Sequence, residues 1–204
     1  MNITIIGASS GIGLLTVKQA LAQGHHVTTL SRSIQTLPTH SSLIKISGNA
    51  TVTADLKKAT ANAEAVIITI GQSKNKQATL FTDTGRALIQ LQLKMPVIIV
   101  TGFGAGDSQP YNSFLFRLLI NMMMKKEYAD KTQMENMLAE SQLQWEIVRP
   151  GMLTNGPLKG KYQSISGLYR GMKMKPISRA DVADFLLSQA EHPTLLHKYV
   201  ALTY

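Results

Sequence analysis

Gly7-Ala8-Ser9-Ser10-Gly11-Ile12-Gly13 follows the β-branched run Ile3-Thr4-Ile5-Ile6 and opens a segment, 11–23, in which Leu14, Leu15, Val17, Leu21 and Ala22 recur at helical spacing until Gly24. In the order strand, turn, helix, the three glycines acquire separate tasks. Gly7 permits a sharp exit from the strand, Gly11 lets backbone come close to a ligand, and Gly13 lets the helix pack tightly on the sheet. Amide N–H groups at the helix start, backed by the helix dipole, then face an anion such as a diphosphate, with the hydroxyls of Ser9 and Ser10 as further donors. A tight turn that binds nothing is the competing reading, and the placement between a first strand and a first helix favours the ligand.

Working outward, further strands are expected at 26–30, 43–46, 65–70, 97–100, 145–148 and 198–202. Helices are expected at 53–62, from a cap at Thr82 or Asp83 to Lys94, at 113–124, at 129–141 and near 179–189. Ala65-Val66-Ile67-Ile68 is apolar throughout, as suits a strand covered on both faces. The alternation implies right-handed βαβ units: a doubly wound, Rossmann-like α/β fold with a mostly parallel sheet and helices on both faces. The whole chain, 1–204, reads as a single domain, with 151–204 a small cap on its substrate side.

The 204 residues are 44% hydrophobic and 16% charged, with mean hydropathy +0.02, which suits a globular core and excludes intrinsic disorder. The absence of cysteine excludes disulfide frameworks, thiol catalysis and the common zinc clusters, and fits a reducing cytoplasm. The chain opens on a strand, and its most apolar stretch, 114–124, is broken by Arg117 and Asn121, so neither a secretory leader nor a membrane span is expected. The five histidines show no metal-ligand spacing, and no metal is expected. Of the net charge of +9, residues 1–100 carry 9 basic and 3 acidic side chains and residues 101–204 carry 12 and 9. The excess concentrates in the half with the glycine turn, which points to a phosphate-rich small molecule rather than nucleic acid. Lys159, Lys161, Arg170, Lys173, Lys175 and Arg179 read as a solvated face or an anion-steering lobe. Met122-Met123-Met124-Lys125-Lys126 reads as a helix end packed on the core with solvated lysines, with a partner surface or substrate flap as the alternative. Phe103, Phe114 and Phe116 are candidate walls of a pocket for a planar substrate.

A dinucleotide site selecting NAD usually carries a carboxylate about 20 residues past the glycines. That place here is Leu30-Ser31-Arg32-Ser33, with no carboxylate and an arginine suited to a 2′-phosphate, so NADP(H) is expected over NAD(H). Ligands lie across the C-terminal strand ends of a parallel sheet. The expected cofactor contacts are therefore Gly7, Ser9, Ser10, Gly11, Ile12, Gly13, Ser31, Arg32, Asn49, Ile70, Gly71, Thr101, Gly102, Lys131, Pro150, Gly151 and Met152, with Gln72 a further residue at a strand end.

The opening turn, Ser31-Arg32, Gly48-Asn49 in place of a usual Gly-Asp, Ala65-Val66-Ile67-Ile68 leading to Gly71, Asp130-Lys131-Thr132-Gln133-Met134-Glu135, Leu138-Ala139-Glu140-Ser141 and Trp145-Glu146-Ile147-Val148-Arg149-Pro150-Gly151 carry a resemblance of nearly full length. Together they resemble the atypical branch of the short-chain dehydrogenases/reductases, the NmrA-like and biliverdin reductase B/flavin reductase-like NAD(P)H-binding proteins. The resemblance implies a Rossmann-like fold and a nicotinamide cofactor. It also exposes departures. The superfamily's proton-passing Tyr-x-x-x-Lys is here Tyr128-x-x-Lys131, with Thr132 at the expected lysine position. The serine and histidine of biliverdin reductase B-like proteins match Gly102 and Gly151 or Met152, which transfer no proton. Lys131 and Tyr128 remain the catalytic candidates. Two functions follow as expectations: an NADPH-dependent oxidoreductase giving hydride to a flavin, quinone or related ring, or a non-catalytic NADP(H)-binding redox sensor of the NmrA-like type. The expected partner is a small molecule, bound by a monomer or homodimer, with neither nucleic acid nor membrane.

Overall fold

Ile5, Ile6, Ile67, Ile68, Ile98 and Ile99 have no exposed surface, so consecutive side chains, which point to opposite faces of a strand, must all be covered by helices on both sides. The computed structural model, which describes residues 1–71 and 79–204, shows how. Strands β1 (Asn2–Ile6), β2 (His26–Ser31), β3 (Leu43–Ser47), β4 (Ala65–Ile68), β5 (Val97–Val100) and β6 (Trp145–Pro150) alternate with helices α1 (Gly11–Ala22), α2 (Thr53–Thr60), α3 (Leu80–Leu91), α4 (Phe114–Leu119) and α5 (Lys125–Ala139). The rest comprises β7 (Leu153–Thr154), β8 (Gln163–Ile165), β9 (Ile177–Ser178), α6 (Arg179–Glu191) and β10 (Tyr199–Thr203). Among the described residues the main sheet runs β3-β2-β1-β4-β5-β6-β10-β8, parallel throughout except for β8 against β10, with β7 and β9 forming a separate pair.

Alternation along each strand divides the core in two. Ile3, Ile5, Ile67, Ile98 and Val148 pack with Val17 of α1 and Val182 and Leu186 of α6. Ile6, Ile68, Ile99 and Ile147 pack with Leu56 of α2, Leu88 of α3 and Leu138 of α5 on the other face. Each such side chain withdrawn from water stabilises the fold by about 1.5–3 kcal/mol. Residues 151–204, expected as a cap, contribute α6 against α1 and β10 beside β6, so much of that segment belongs to the layers themselves.

Several boundaries differ from expectation for physical reasons. Helix α3 starts at Leu80 rather than at a Thr82 or Asp83 cap, because its cap comes from another helix. The Asp130 carboxylate of α5 accepts hydrogen bonds from the backbone N–H groups of Phe81 (2.8 Å) and Thr82 (3.0 Å). The expected strand 65–70 ends at Ile68, since the Thr69 hydroxyl turns back to donate to the carbonyls of Ile6 (3.0 Å) and Gly7 (3.3 Å). Ser113 caps α4, which passes through one wide turn, Ile120–Met124, directly into α5, so 125–128 is helical as well. The 3-10 turn Gly106–Tyr111 and strands β7, β8 and β9 are too short to show a period in the sequence. Among the described residues no helix is long and apolar enough to cross a membrane.

Glu146, opposite Ile98 in the β5–β6 register, is buried with neither carboxylate oxygen hydrogen-bonded. Burial pushes its carboxyl up from 4.5 to about 8. The folded state therefore holds a proton that the unfolded chain releases between those values, and stability falls as pH rises from 4.5 to about 8. Glu146→Gln should flatten that decline and raise the melting temperature at pH 8 by several degrees, as measured by thermal denaturation at a series of pH values.

Candidate cofactor and active site

The strand order reverses between β1 and β4, leaving a crevice at their C-terminal ends. Gly7 turns there at φ +84°, and a Cβ on it would lie 2.8 Å from the Thr69 backbone. A Cβ on Gly13 would lie 2.4 Å from both the Gly7 carbonyl and the Thr69 hydroxyl, so the turn and α1 are pressed onto the sheet. Ser10 precedes α1 in extended conformation with its side chain capping nothing, and the first turn carries no acid. The leading N–H groups of α1 thus stay open to an anion.

A cleft of about 770 Å³ begins at this turn and crosses the strand ends. The expected contacts Gly7, Ser9, Ser10, Gly11, Ile12, Ser31, Arg32, Asn49, Ile70, Gly71, Thr101, Gly102, Lys131, Pro150, Gly151 and Met152 all line it. Gly13 does not; it lies behind the turn and serves packing. Gln72 lies outside the described residues. Ser31 is buried, and its hydroxyl accepts the Ala8 N–H at 2.8 Å, so it supports the turn from below. Arg32 is exposed and, among the described residues, pairs with no carboxylate.

A second cation at the turn was not anticipated as a contact. Arg179, the first residue of α6, lines the cleft with its Nε 3.9 Å from where a Gly11 Cβ would stand, while a guanidinium N–H donates to Asn155 Oδ1 at 2.8 Å. Its placement follows from Asp181. Burial pushes that carboxyl up, but hydrogen bonds from Ser178, Tyr204 and the N–H groups of Lys159 and Gly160 outweigh burial and hold it below its usual range. The ionised group ties the start of α6 to the 155–160 loop. In the sequence Arg179 showed merely as one cation in a basic run.

The far end of the cleft has a different character. Phe116, Leu119 and Met124 form an apolar wall beside Tyr128 and Lys131. Lys131 pairs with Glu127 at 2.8 Å and lies 4.7 Å from the centre of the Tyr128 ring and 5.1 Å from that of Phe81. Burial, then the charge of Glu127, pushes the Tyr128 phenol up to about 12, opposite to the shift that a proton-passing tyrosine needs. Of the three candidate phenylalanines, Phe116 lines the cleft, Phe103 is buried with Met172 and Ala201 elsewhere, and Phe114 faces solvent. Beneath this end, Glu135 accepts two hydrogen bonds from Arg149 (3.1 and 2.7 Å) and one from the Thr101 hydroxyl (2.6 Å). Arg149 also reaches Asp107, and its guanidinium lies 4.3 Å from the Tyr199 ring centre. Thr101 can therefore meet a ligand through its backbone alone. Among the described residues no group of three His, Asp or Glu side chains is arranged to hold a metal.

Comparison with known proteins identifies the family and the fold. The family model described as NAD(P)H-binding matches residues 7–193. A short-chain dehydrogenase/reductase from Veillonella parvula DSM 2008, solved in complex with NADP, superposes with TM-score 0.83 at 21% identity, covering 100% of this chain and 94% of that one. ChuY, an anaerobillin reductase from Escherichia coli O157:H7, gives TM-score 0.80 at 25% identity over 100% and 97% of the two chains. A candidate NADH-flavin reductase from Streptococcus pneumoniae TIGR4 gives TM-score 0.81 at 20% identity over 100% and 99%.

The Arg149 network makes a contrast measurable. Glu135→Ala leaves a buried guanidinium without its main partner and should cost about 3–5 kcal/mol of unfolding free energy. Asp107, whose side chain is 70% exposed, should cost under about 1 kcal/mol on conversion to Ala. Chemical denaturation of both variants checks the difference.

Proposed function

This chain belongs to the NAD(P)H-binding family, and from that premise we propose that it is an NADPH-dependent reductase of a small electron-poor ring such as a flavin or quinone. A bound nicotinamide supplies hydride, two electrons with one hydrogen. In this reading the open N–H groups at Gly11 and Ile12, with Ser9, Ser10 and Arg179, hold the diphosphate. Arg32, beside Ser31 at the end of a β2 that lacks a carboxylate, holds the 2′-phosphate. Asn49, Ile70 and Gly71 flank the adenosine half, while Thr101, Gly102, Pro150, Gly151, Met152 and Lys131 border the nicotinamide. Arg32, at the end of a β2 that carries no carboxylate, supports NADP(H) over NAD(H). The NADP complex of the Veillonella protein is in keeping with this.

One observation carries the choice of acceptor. At the hydride end the Tyr128 phenol is pushed up to about 12 and Lys131 is engaged with Glu127, so the pair lacks the lowered phenol with which the superfamily passes a proton. A conjugated ring removes that need: it accepts hydride with the charge delocalised, and water delivers the proton, giving reduced ring and oxidised cofactor. Tyr128 and Lys131 then act by shaping and charging the wall on which the ring lies. The reductases among the structural neighbours support the same class of reaction. The lack of a proton donor also favours a second reading, an NADP(H)-binding sensor of the NmrA-like type without turnover.

Mixing the protein with NADPH and flavin or quinone acceptors decides between them. The reductase reading expects NADPH oxidation dependent on both; saturable NADPH binding with no acceptor reduction establishes the sensor. Tyr128→Phe should retain acceptor reduction within about fivefold, since a ring that delocalises the charge takes its proton from water. Arg32→Ala should weaken NADPH binding about tenfold or more with little change for NADH, whereas Arg179→Ala should weaken both alike, as read by titration calorimetry. Equal losses for both cofactors at Arg32 would remove the 2′-phosphate assignment.

A further inference from the structure

A helix on a protein surface normally turns polar residues to water, and one that is apolar all round belongs in a core or at a lipid boundary. The 114–124 segment breaks the surface pattern. Phe116, Ile120 and Met124, four residues apart, turn inward onto Ala105 and Tyr128. The remaining apolar side chains face out: Phe114 is 78% exposed, Leu115 75%, Met122 76% and Met123 68%, with Leu118 at 46%. The expectation that this helix end packs wholly on the core thus fails for Met122 and Met123.

The charge around this face has one sign. Arg117, Lys125 and Lys126 are exposed within or beside it, and the sequence has no acid between Asp107 and Glu127. Farther along the chain, Met152, which lines the cleft, and Tyr169 are 58% and 55% exposed in a stretch that holds Lys159, Lys161, Arg170, Lys173 and Lys175 and no acid between Glu146 and Asp181. Both segments border one cleft, through Phe116, Leu119 and Met124 on one side and Met152 on the other. We propose that this rim docks on an anionic lipid bilayer, with the outer face of α4 and the following turn seated among the headgroups and the cleft opening beside the lipid.

The charge selects this occupant over a second copy of the chain. Two copies meeting on this face would bring Arg117, Lys125 and Lys126 of each together with no carboxylate between them, which costs rather than stabilises. An anionic bilayer supplies both the negative potential and the apolar boundary that exposed Phe, Leu and Met side chains require. The proposal goes beyond the reductase reading and does not depend on turnover. Its readout is binding to lipid, so the two fail separately.

The test is sedimentation of the 204-residue protein with vesicles of phosphatidylcholine alone or mixed equally with phosphatidylglycerol. Binding is expected with the anionic vesicles, weakening as salt is raised. Leu115→Glu/Met122→Glu should abolish it, and Lys125→Ala/Lys126→Ala should weaken it about 25-fold, near fivefold for each cation removed. NADPH affinity of each variant, expected to match the parent, shows that the fold survives. The proposal is overturned if the protein fails to sediment with either vesicle, sediments equally with both, or keeps its binding in the double glutamate variant. It is likewise overturned if light scattering shows a dimer that the double glutamate variant converts to monomer, which assigns the face to a second copy.

Discussion

A guanidinium and a carboxylate with almost no exposed surface, Arg149 and Glu135, hold the β5–β6 side of this protein in register. Withdrawing both charges from water costs several kcal/mol each unless their bonding is nearly complete. Here Glu135 takes two hydrogen bonds from Arg149 and one from Thr101, and Arg149 adds Asp107 and the face of Tyr199. The demand for that completeness ties the ends of β5 and β6, helix α5 and the 106–111 turn to one arrangement. Lys131 and Tyr128 lie one and two turns before Glu135 on the same helix, so the ion pair sets where they meet the cleft. Asp130, between them, extends the constraint by capping α3. A single helix thus carries the buried pair, a neighbour's cap and the wall of the site.

The two ends of the cleft follow opposite electrostatic logic. At the glycine turn, open backbone donors and two arginines create a positive field for phosphate, and the close approach of Gly7 and Gly13 to Thr69 leaves no room for side chains that would fill it. At the far end, an apolar wall and a lysine neutralised by Glu127 leave a surface suited to a flat ring. The same helix–turn segment that supplies the inner wall turns apolar residues outward among cations. Wall and rim are therefore two faces of one element.

Much of this was legible because its causes are local. The glycine turn declares itself by spacing, β1 by its β-branched run, β4 and β5 by unbroken apolar runs, and the absence of a carboxylate after β2 by inspection. Of the segments behind the family resemblance, the glycine turn, Ser31-Arg32, Gly48-Asn49 and Pro150-Gly151 line one cleft. What escaped depends on residues far apart in the chain. The start of α3 is set by Asp130, some fifty residues on, and the sequence around Thr82 offered a plausible local cap that the fold does not use. Arg179 is indistinguishable within its basic run until Asp181 pins the start of α6 beside Gly11. Phe103, Phe114 and Phe116 look alike as aromatic candidates, and burial sends one to a separate cluster, one to solvent and one to the site.

By itself, then, the sequence determined the βαβ order, the glycine turn and the class of cofactor, because periodicity and glycine conformational freedom act within a few residues. The tertiary structure alone decided that Tyr128 is buried beside an acid, that Ser31 and Thr101 are engaged in support, that Arg179 stands beside the glycine turn, and that Met122 and Met123 face outward. Burial and the pairing of charges are properties of neighbours in space, and helix spacing cannot say which face the rest of the chain will cover.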